Sequence, residues 1–283
     1  MKILVTGANG YLGSGIIKVL LDNEFEVIAT DYTTDFIDNR ANIIRGDIFC
    51  VNNPFEFYGE PDVLLHLAWK DGFVHYSNSH IDDLPKHYSF VKKMAESGCK
   101  QIAVMGTMHE IGFFEGCVNE HTPCNPTTPY GISKNALRNL TELVCKQNNS
   151  IFQWLRGYYI VGNSEHGSSI FSKIVNASKK HKNVFPFTQG QNQYDFIDYT
   201  IFCSQIAAAI VQNNVVGLIN ICSGKPEKLA DRVERFIKEN NLKISLKYGA
   251  FPDRPYDSKA IWGDATKINK IMTQSSIRTD ITY

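Results

Sequence analysis

The first fifteen residues, MKILVTGANGYLGSG, run from an apolar segment into glycines at positions 7, 10 and 13 and on into a second apolar segment. Lys2 to Val5 read as a buried strand, and Leu12, Ile16, Ile17 and Leu20 recur at the spacing of one helix face. This strand–glycine–helix unit restricts the fold to a parallel sheet with a dinucleotide at its top. Gly7 permits the tight turn, Gly10 lets the backbone approach a pyrophosphate, and Gly13 lets the helix pack against the strand. Asn9, Tyr11 and Leu12 complete the loop, and the amides opening the helix face the phosphates. Three glycines alone carry little information; their place between a strand and an amphipathic helix is what makes them specific.

The next apolar segment, Phe25 to Thr30, ends at Asp31, 24 residues beyond Gly7. A carboxylate there accepts hydrogen bonds from ribose hydroxyls and repels a 2′-phosphate, so NAD is expected in preference to NADP. A turn aspartate is the plainer reading of the same residue.

Strand and helix signals alternate through the first two-thirds of the 283 residues. Ala41 to Ile44, Asp62 to His66, Gln101 to Met105 and Ile151 to Leu155 read as strands, the second and third as continuous apolar runs that suit a sheet covered on both faces. His75 to Ser97, with Pro85 interrupting its start, and Pro129 to Lys146 read as helices. Repeated alternation predicts an α/β fold with a doubly wound parallel sheet and right-handed crossovers. Further on, helices are expected near Ser168 to Lys180, Tyr199 to Gln212 and Ala230 to Asn240, with short strands at Leu218 to Ile221 and Lys243 to Leu246. The reading assigns residues 1–160 and elements around 195–224 to the dinucleotide-binding domain. Residues 161–194 and 225–283 form a smaller carboxyl-terminal substrate lobe over the strand ends, where such folds bind ligands.

Bulk properties narrow the partners. Twenty-nine basic and 29 acidic residues give zero net charge, so no long-range field recruits nucleic acid or an anionic membrane. No apolar run approaches the about 20 residues of a membrane span. Seven scattered cysteines without C-x-x-C spacing are expected as reduced thiols in a cytoplasmic protein. Cys117 and Cys124 with His109 and His121 match no ligand spacing, so no metal site is expected.

The candidate chemistry lies in PYGISK. Tyr130 and Lys134 stand four apart at the start of a helix and project from one face. An ammonium beside a phenol stabilises the phenolate and is expected to lower the tyrosine pKa toward working pH; Lys134 can also hold the nicotinamide ribose. Tyr88 and Lys92 share the spacing and read as a solvated helix face. What separates the first pair is its surroundings: the strand 25 residues before Tyr130 ends in Gly106-Thr107, whose hydroxyl can meet a substrate carbonyl or alcohol beside the tyrosine.

TGANGYLG, Asp31, GDI, HLAW, the Thr107 strand, PYGISK, LRGYYIVG and YDFIDY together resemble the extended short-chain dehydrogenase/reductase family, in its nucleotide-sugar epimerase, dehydratase and ketoreductase branch. The resemblance spans nearly the whole chain with its motifs in order. It implies a Rossmann sheet, NAD(P), a Thr107–Tyr130–Lys134 triad with Tyr130 as acid/base, and a homodimer through the helices around His87 and Leu137. It further implies Asp47 and Ile48 near the adenine, Leu67 and Ala68 along the cofactor, Trp69 and Met108 toward substrate, and Arg254, in YGAFPDRPYDSKAIWGD, at a nucleotide diphosphate.

The departures bear on the reaction. Where dehydratases carry an acid pair after the triad hydroxyl, this chain has Met108 and His109, which disfavours 4,6-dehydration. His109 either transfers protons or only hydrogen-bonds substrate or backbone. Tyr194 replaces an arginine and Tyr159 an asparagine that normally touch diphosphate or sugar. Arg254, Lys173 or another cation compensates, or the tyrosines stack on a base or sugar ring, or they serve packing. The expected activity is reduction of a 4-keto-6-deoxy sugar nucleotide, with 4-epimerisation or a catalytically silent dinucleotide-binding regulator as alternatives.

Overall fold

The computed structural model describes residues 1–162, 169–252 and 258–278. The glycine unit appears as β1 (Lys2–Thr6) and α1 (Tyr11–Asp22), followed by β2 (Glu26–Asp31), β3 (Asn42–Arg45), a 3-10 turn at Ile48–Cys50, α2 (Pro54–Phe57) and β4 (Val63–His66). Next come α3 (Ser79–Glu96), β5 (Gln101–Thr107), a second 3-10 turn at Met108–Glu110, β6 (Gly116–Val118), α4 (Pro129–Gln147), β7 (Ile151–Gly157) and β8 (Tyr159–Val161). The remainder comprises α5 (Ile170–Lys179), β9 (Val184–Pro186), β10 (Gln193–Asp198), α6 (Tyr199–Ile210), β11 (Gly217–Ile221), β12 (Pro226–Lys228), α7 (Leu229–Glu239), β13 (Ser245–Lys247), β14 (Ala260–Gly263) and α8 (Thr266–Gln274).

Seven strands form one parallel sheet in the order β11-β7-β5-β4-β1-β2-β3. Every residue of β4 and β5 is buried, as their unbroken apolar runs require when helices cover both faces. One core packs Ile16, Ile17 and Leu20 of α1 with Phe202 and Ile206 of α6. The other packs Phe90, Val91 and Met94 of α3 with Leu137 and Val144 of α4. Strand order reverses between β1 and β4, so a crevice opens beyond their carboxyl ends. Thr6 pairs with His66 there, which brings the glycine loop beside the segment after β4.

Two sequence expectations change. Pro85 does not interrupt the start of α3; it lies inside the helix on an exposed stretch, where water can serve the carbonyl left without an amide. Tyr88 and Lys92 are half-buried, with Tyr88 packed against the core and Lys92 paired to Glu96 at 2.5 Å, so their face is only partly solvated. β5 extends two residues beyond the apolar run that ends at Met105 and closes on Thr107, the strand end expected for the triad hydroxyl.

A smaller sheet, β12-β10-β14-β6 with β8 added to β10, was not legible as strands. Buried Asp195 of β10 joins the two sheets. Its carboxylate accepts the Ser223 and Gly224 amides beyond β11 at 2.7 and 2.9 Å, and the Gly263 amide of β14 at 3.1 Å. Among the described residues no helix is long and apolar enough to cross a membrane.

Candidate active site

Gly7 has φ +67°, and a Cβ there would fall 2.7 Å from the Ala68 amide nitrogen. A Cβ on Gly13 would fall 2.3 Å from the Gly7 carbonyl oxygen, so α1 can seat this close to β1 only with glycine. Gly10 caps α1 without a side-chain hydrogen bond, and the first turn holds no acidic residue. The amides of Tyr11, Leu12 and Gly13 thus open toward the crevice as a cradle suited to a pyrophosphate. Asp31, at the end of β2, accepts the Asn9 amide at 2.9 Å and the Tyr32 amide at 2.7 Å. The Asn9 side chain bridges to Thr33 at 2.7 Å and the Phe36 amide at 2.6 Å, fixing the loop a ribose would meet. Asp47 caps the first 3-10 turn through the Phe49 amide, with Ile48 buried beneath it; Leu67 and Ala68 are half-buried beside Gly7. These residues fit a dinucleotide.

Thr107, Tyr130 and Lys134 converge at the carboxyl end of β5. Thr128 caps α4 through the Gly131 amide and Pro129 opens the helix, so Tyr130 enters in its first turn. The Tyr130 amide donates to the His75 carbonyl at 3.1 Å, and its phenol bonds the Thr107 hydroxyl. Lys134 is 3% exposed; its Nζ donates to the Met105 carbonyl at 2.8 Å and lies 3.9 Å from the centre of the Trp69 ring.

The electrostatics correct one expectation. Burial pushes the Tyr130 phenol up to about 12, against the Thr107 hydrogen bond, and the Glu110 carboxylate adds to the rise. Burial pushes Lys134 down to about 7, while Glu110 raises it. The ammonium is directed at Met105 and Trp69, and its attraction does not lower the phenol; desolvation dominates both groups.

Aromatic rings crowd the tyrosine. His75 stacks on it at 5.1 Å, and the His109 ring lies 4.3 Å from His75 and 6.0 Å from Tyr130. Burial first, and His75 second, push His109 down to about 4, so its imidazole is neutral at physiological pH. No sequence signal marked His75 or His80, which belong to a loop and a helix start without motif. Trp69 packs on Lys134 and donates its indole N–H to His80 Nδ1 at 3.0 Å. Glu110, next to Met108 and His109, is fully buried: it accepts Arg156 Nε at 2.7 Å and the Trp154 indole N–H at 2.9 Å.

Met108 and Tyr194 are turned into the core at 7% and 8% exposure, leaving a ligand only their edges. Tyr194 receives the Asn192 amide on its hydroxyl and packs against half-buried Tyr159, ring centres 4.6 Å apart and planes tilted by 36°. Arg254 lies outside the described residues. A cavity of about 1000 Å³ adjoins the glycine loop, lined by Asn9, Gly10 and Tyr11 together with Lys18, Asp198 and Arg232, and includes none of Thr107, Tyr130 and Lys134. Chemistry and not volume therefore locates the candidate site.

Comparison with known proteins agrees with this geometry. A family model described as "NAD dependent epimerase/dehydratase family" matches residues 3–222. The chain is 43% identical over 270 residues to a dTDP-6-deoxy-L-talose 4-dehydrogenase (NAD(+)) of Aggregatibacter actinomycetemcomitans, covering 93% of this chain and 99% of that protein. It is 26% identical over 301 residues to an uncharacterized UDP-glucose epimerase, YtcB, of Bacillus subtilis (strain 168), covering 96% and 92%. The fold matches the UDP-N-acetylglucosamine 4-epimerase from Methanobrevibacter ruminantium M1, solved with UDP-N-acetylmuramic acid, with a TM-score of 0.83, 19% identity and coverage of 99% and 93%. With its Rossmann sheet, its glycine cradle at the switch point and a family match over most of its length, the chain belongs to the NAD-dependent epimerase/dehydratase family.

Proposed function

We propose that this enzyme reduces C4 of a 4-keto-6-deoxy sugar nucleotide, and oxidises the corresponding alcohol in reverse, with Tyr130 exchanging the proton and Thr107 polarising the oxygen. The observation that carries the reading is the meeting of Thr107, Tyr130 and Lys134 at the end of β5, beside the glycine cradle. The substrate class is supported by the relative that shares 43% identity, named for 4-dehydrogenation of a dTDP-6-deoxy sugar.

When bound, NAD supplies or accepts the hydride. Gly7, Gly10, Gly13 and the first amides of α1 would hold its pyrophosphate, and Asp31 would select the unphosphorylated ribose. A phenol held at about 12 is protonated at neutral pH, as a donor to a carbonyl must be. In reduction its proton passes to the C4 oxygen while hydride adds to C4; in oxidation both leave. Elimination across the sugar ring needs a free acid or base beside Thr107. Met108 supplies none, Glu110 is committed to Arg156 and Trp154, and the buried imidazole of His109, held down to about 4, is a weak base.

Seven free thiols suit a reducing cytoplasm. Two copies would meet through the outer faces of α3 and α4, where Ile81, Ile132 and Leu143 are exposed; His87 and Leu137 themselves are buried within the chain.

The test supplies purified protein with NADH and a dTDP-4-keto-6-deoxy sugar. Stoichiometric NADH loss with formation of the 4-hydroxy sugar is expected. Interconversion of 4-epimers with no net NADH loss would make the enzyme an epimerase, and absence of both reactions would overturn the reading.

A further inference from the structure

Behind Lys134 the side chains form a continuous stack that begins in the central sheet. The Thr6 hydroxyl bonds His66 Nδ1 at 2.7 Å, and His66 Nε2 bonds His87 Nδ1 at 2.9 Å. The His87 ring lies nearly parallel to the Trp69 indole, with centroids 4.5 Å apart and planes 20° apart. The same indole is held at its edge by its N–H bond to His80, whose Nε2 bonds the Val74 carbonyl at 3.0 Å. Lys134 Nζ then sits over the ring at 3.9 Å. Three elements therefore fix one indole beneath one ammonium.

A buried ammonium is costly unless its charge is met. The Met105 carbonyl takes one of its three donors. The nearest carboxylate influence, Glu110, is already bonded to Arg156 and Trp154. Tyr130, on the same helix, is a neutral phenol. His66 and His87 face the lysine from β4 and α3, and burial keeps both imidazoles neutral, so neither repels it. The negative face of the indole meets the ammonium at 3.9 Å, and cation–π contact strengthens when the cation is desolvated.

We propose that Trp69 is a positioning residue whose indole, braced by His66, His87 and His80, is the seat that aligns Lys134 beside Tyr130 and favours its charged form. The assignment rests on the reading of Tyr130 and Lys134 as the reacting pair, and it turns Trp69 from an expected substrate contact into a support for the lysine.

The test reads Lys134 directly, by a pH titration of side-chain-labelled lysine in the full-length protein without cofactor or substrate. Graded fluorination of the indole at position 69 preserves its shape and weakens its negative face. The lysine titration should move down with each fluorine, reaching about one pH unit, a tenfold change in ionisation ratio, with the most fluorinated ring. Trp69→Leu should give a shift at least as large, and Trp69→Phe should recover most of it. In turnover, the pH limb assigned to Lys134 should move in parallel. A lysine titration unchanged across the fluorinated series would overturn the proposal, as would equal shifts in Trp69→Phe and Trp69→Leu. Because the titration needs no sugar, it decides the seat even where the turnover assay rejects the proposed substrate.

Discussion

Tyr130 and Lys134 share a helix face, yet burial drives the phenol up and the ammonium down. The helix spacing sets their proximity, while desolvation sets their charge. Tyr130→Phe should lose about 10²–10⁴-fold in turnover while binding NAD as the parent does, checked by steady-state kinetics beside a cofactor titration; undiminished turnover would remove the tyrosine from the mechanism. Glu110 acts at one remove. Its carboxylate pairs with Arg156 with side chains 0% and 1% exposed, so Glu110→Gln leaves a buried guanidinium without its counter-charge. A loss of about 3–5 kcal/mol in chemical denaturation is expected, with much of it recovered when Arg156→Met is added. Equal midpoints for parent and Glu110→Gln would show that the pair does not hold the 3-10 turn after Thr107.

Among the elements, the β1–α1 unit depends most on backbone contact. A Cβ at Gly13 would meet the Gly7 and Ala8 carbonyl oxygens at 2.3 and 2.6 Å, and no side chain there can move aside. Gly13→Ala should destabilise the chain by about 1–3 kcal/mol and weaken NAD binding, whereas Gly46→Ala, with nothing within 4 Å of its Cβ, should leave both unchanged. Calorimetric titration of NAD into the two variants checks the contrast, and equal affinities would refute it. This unit was legible because the contacts that seat α1 on β1, from Gly13 back to Gly7 and Ala8, lie within six residues. The strands of the small sheet were not: β6 has three residues, and its partner β14 begins beyond residue 259, so no local periodicity announces the pairing. The helix over His75 to Ser97 was legible only in part. The segment before Ser79 is a loop, and from it His75 reaches Tyr130.

At the scale of the molecule, burial of His66 and His87 links stability to pH. Both are held neutral, with His87 down to about 3 against an ordinary 6.5. Below 6.5 the unfolded chain takes up protons that the folded chain refuses, so the associated stability is complete above that pH and lost as pH falls toward 3. Each such proton contributes a slope of about 1.4 kcal/mol per pH unit. Urea unfolding across this range should show the decline, and His87→Gln should flatten it; an unchanged slope would contradict the assignment. The same burial explains the division between what was readable and what was not. Glycine spacing, apolar runs and the four-residue interval in PYGISK are local, and they sufficed to specify a parallel sheet, a dinucleotide cradle and a candidate acid/base pair. Trp69 beneath Lys134, His75 on Tyr130 and Glu110 against Arg156 join residues 46 to 65 positions apart. Only the packed fold brings them together, and only its exclusion of water decides which of them carry charge.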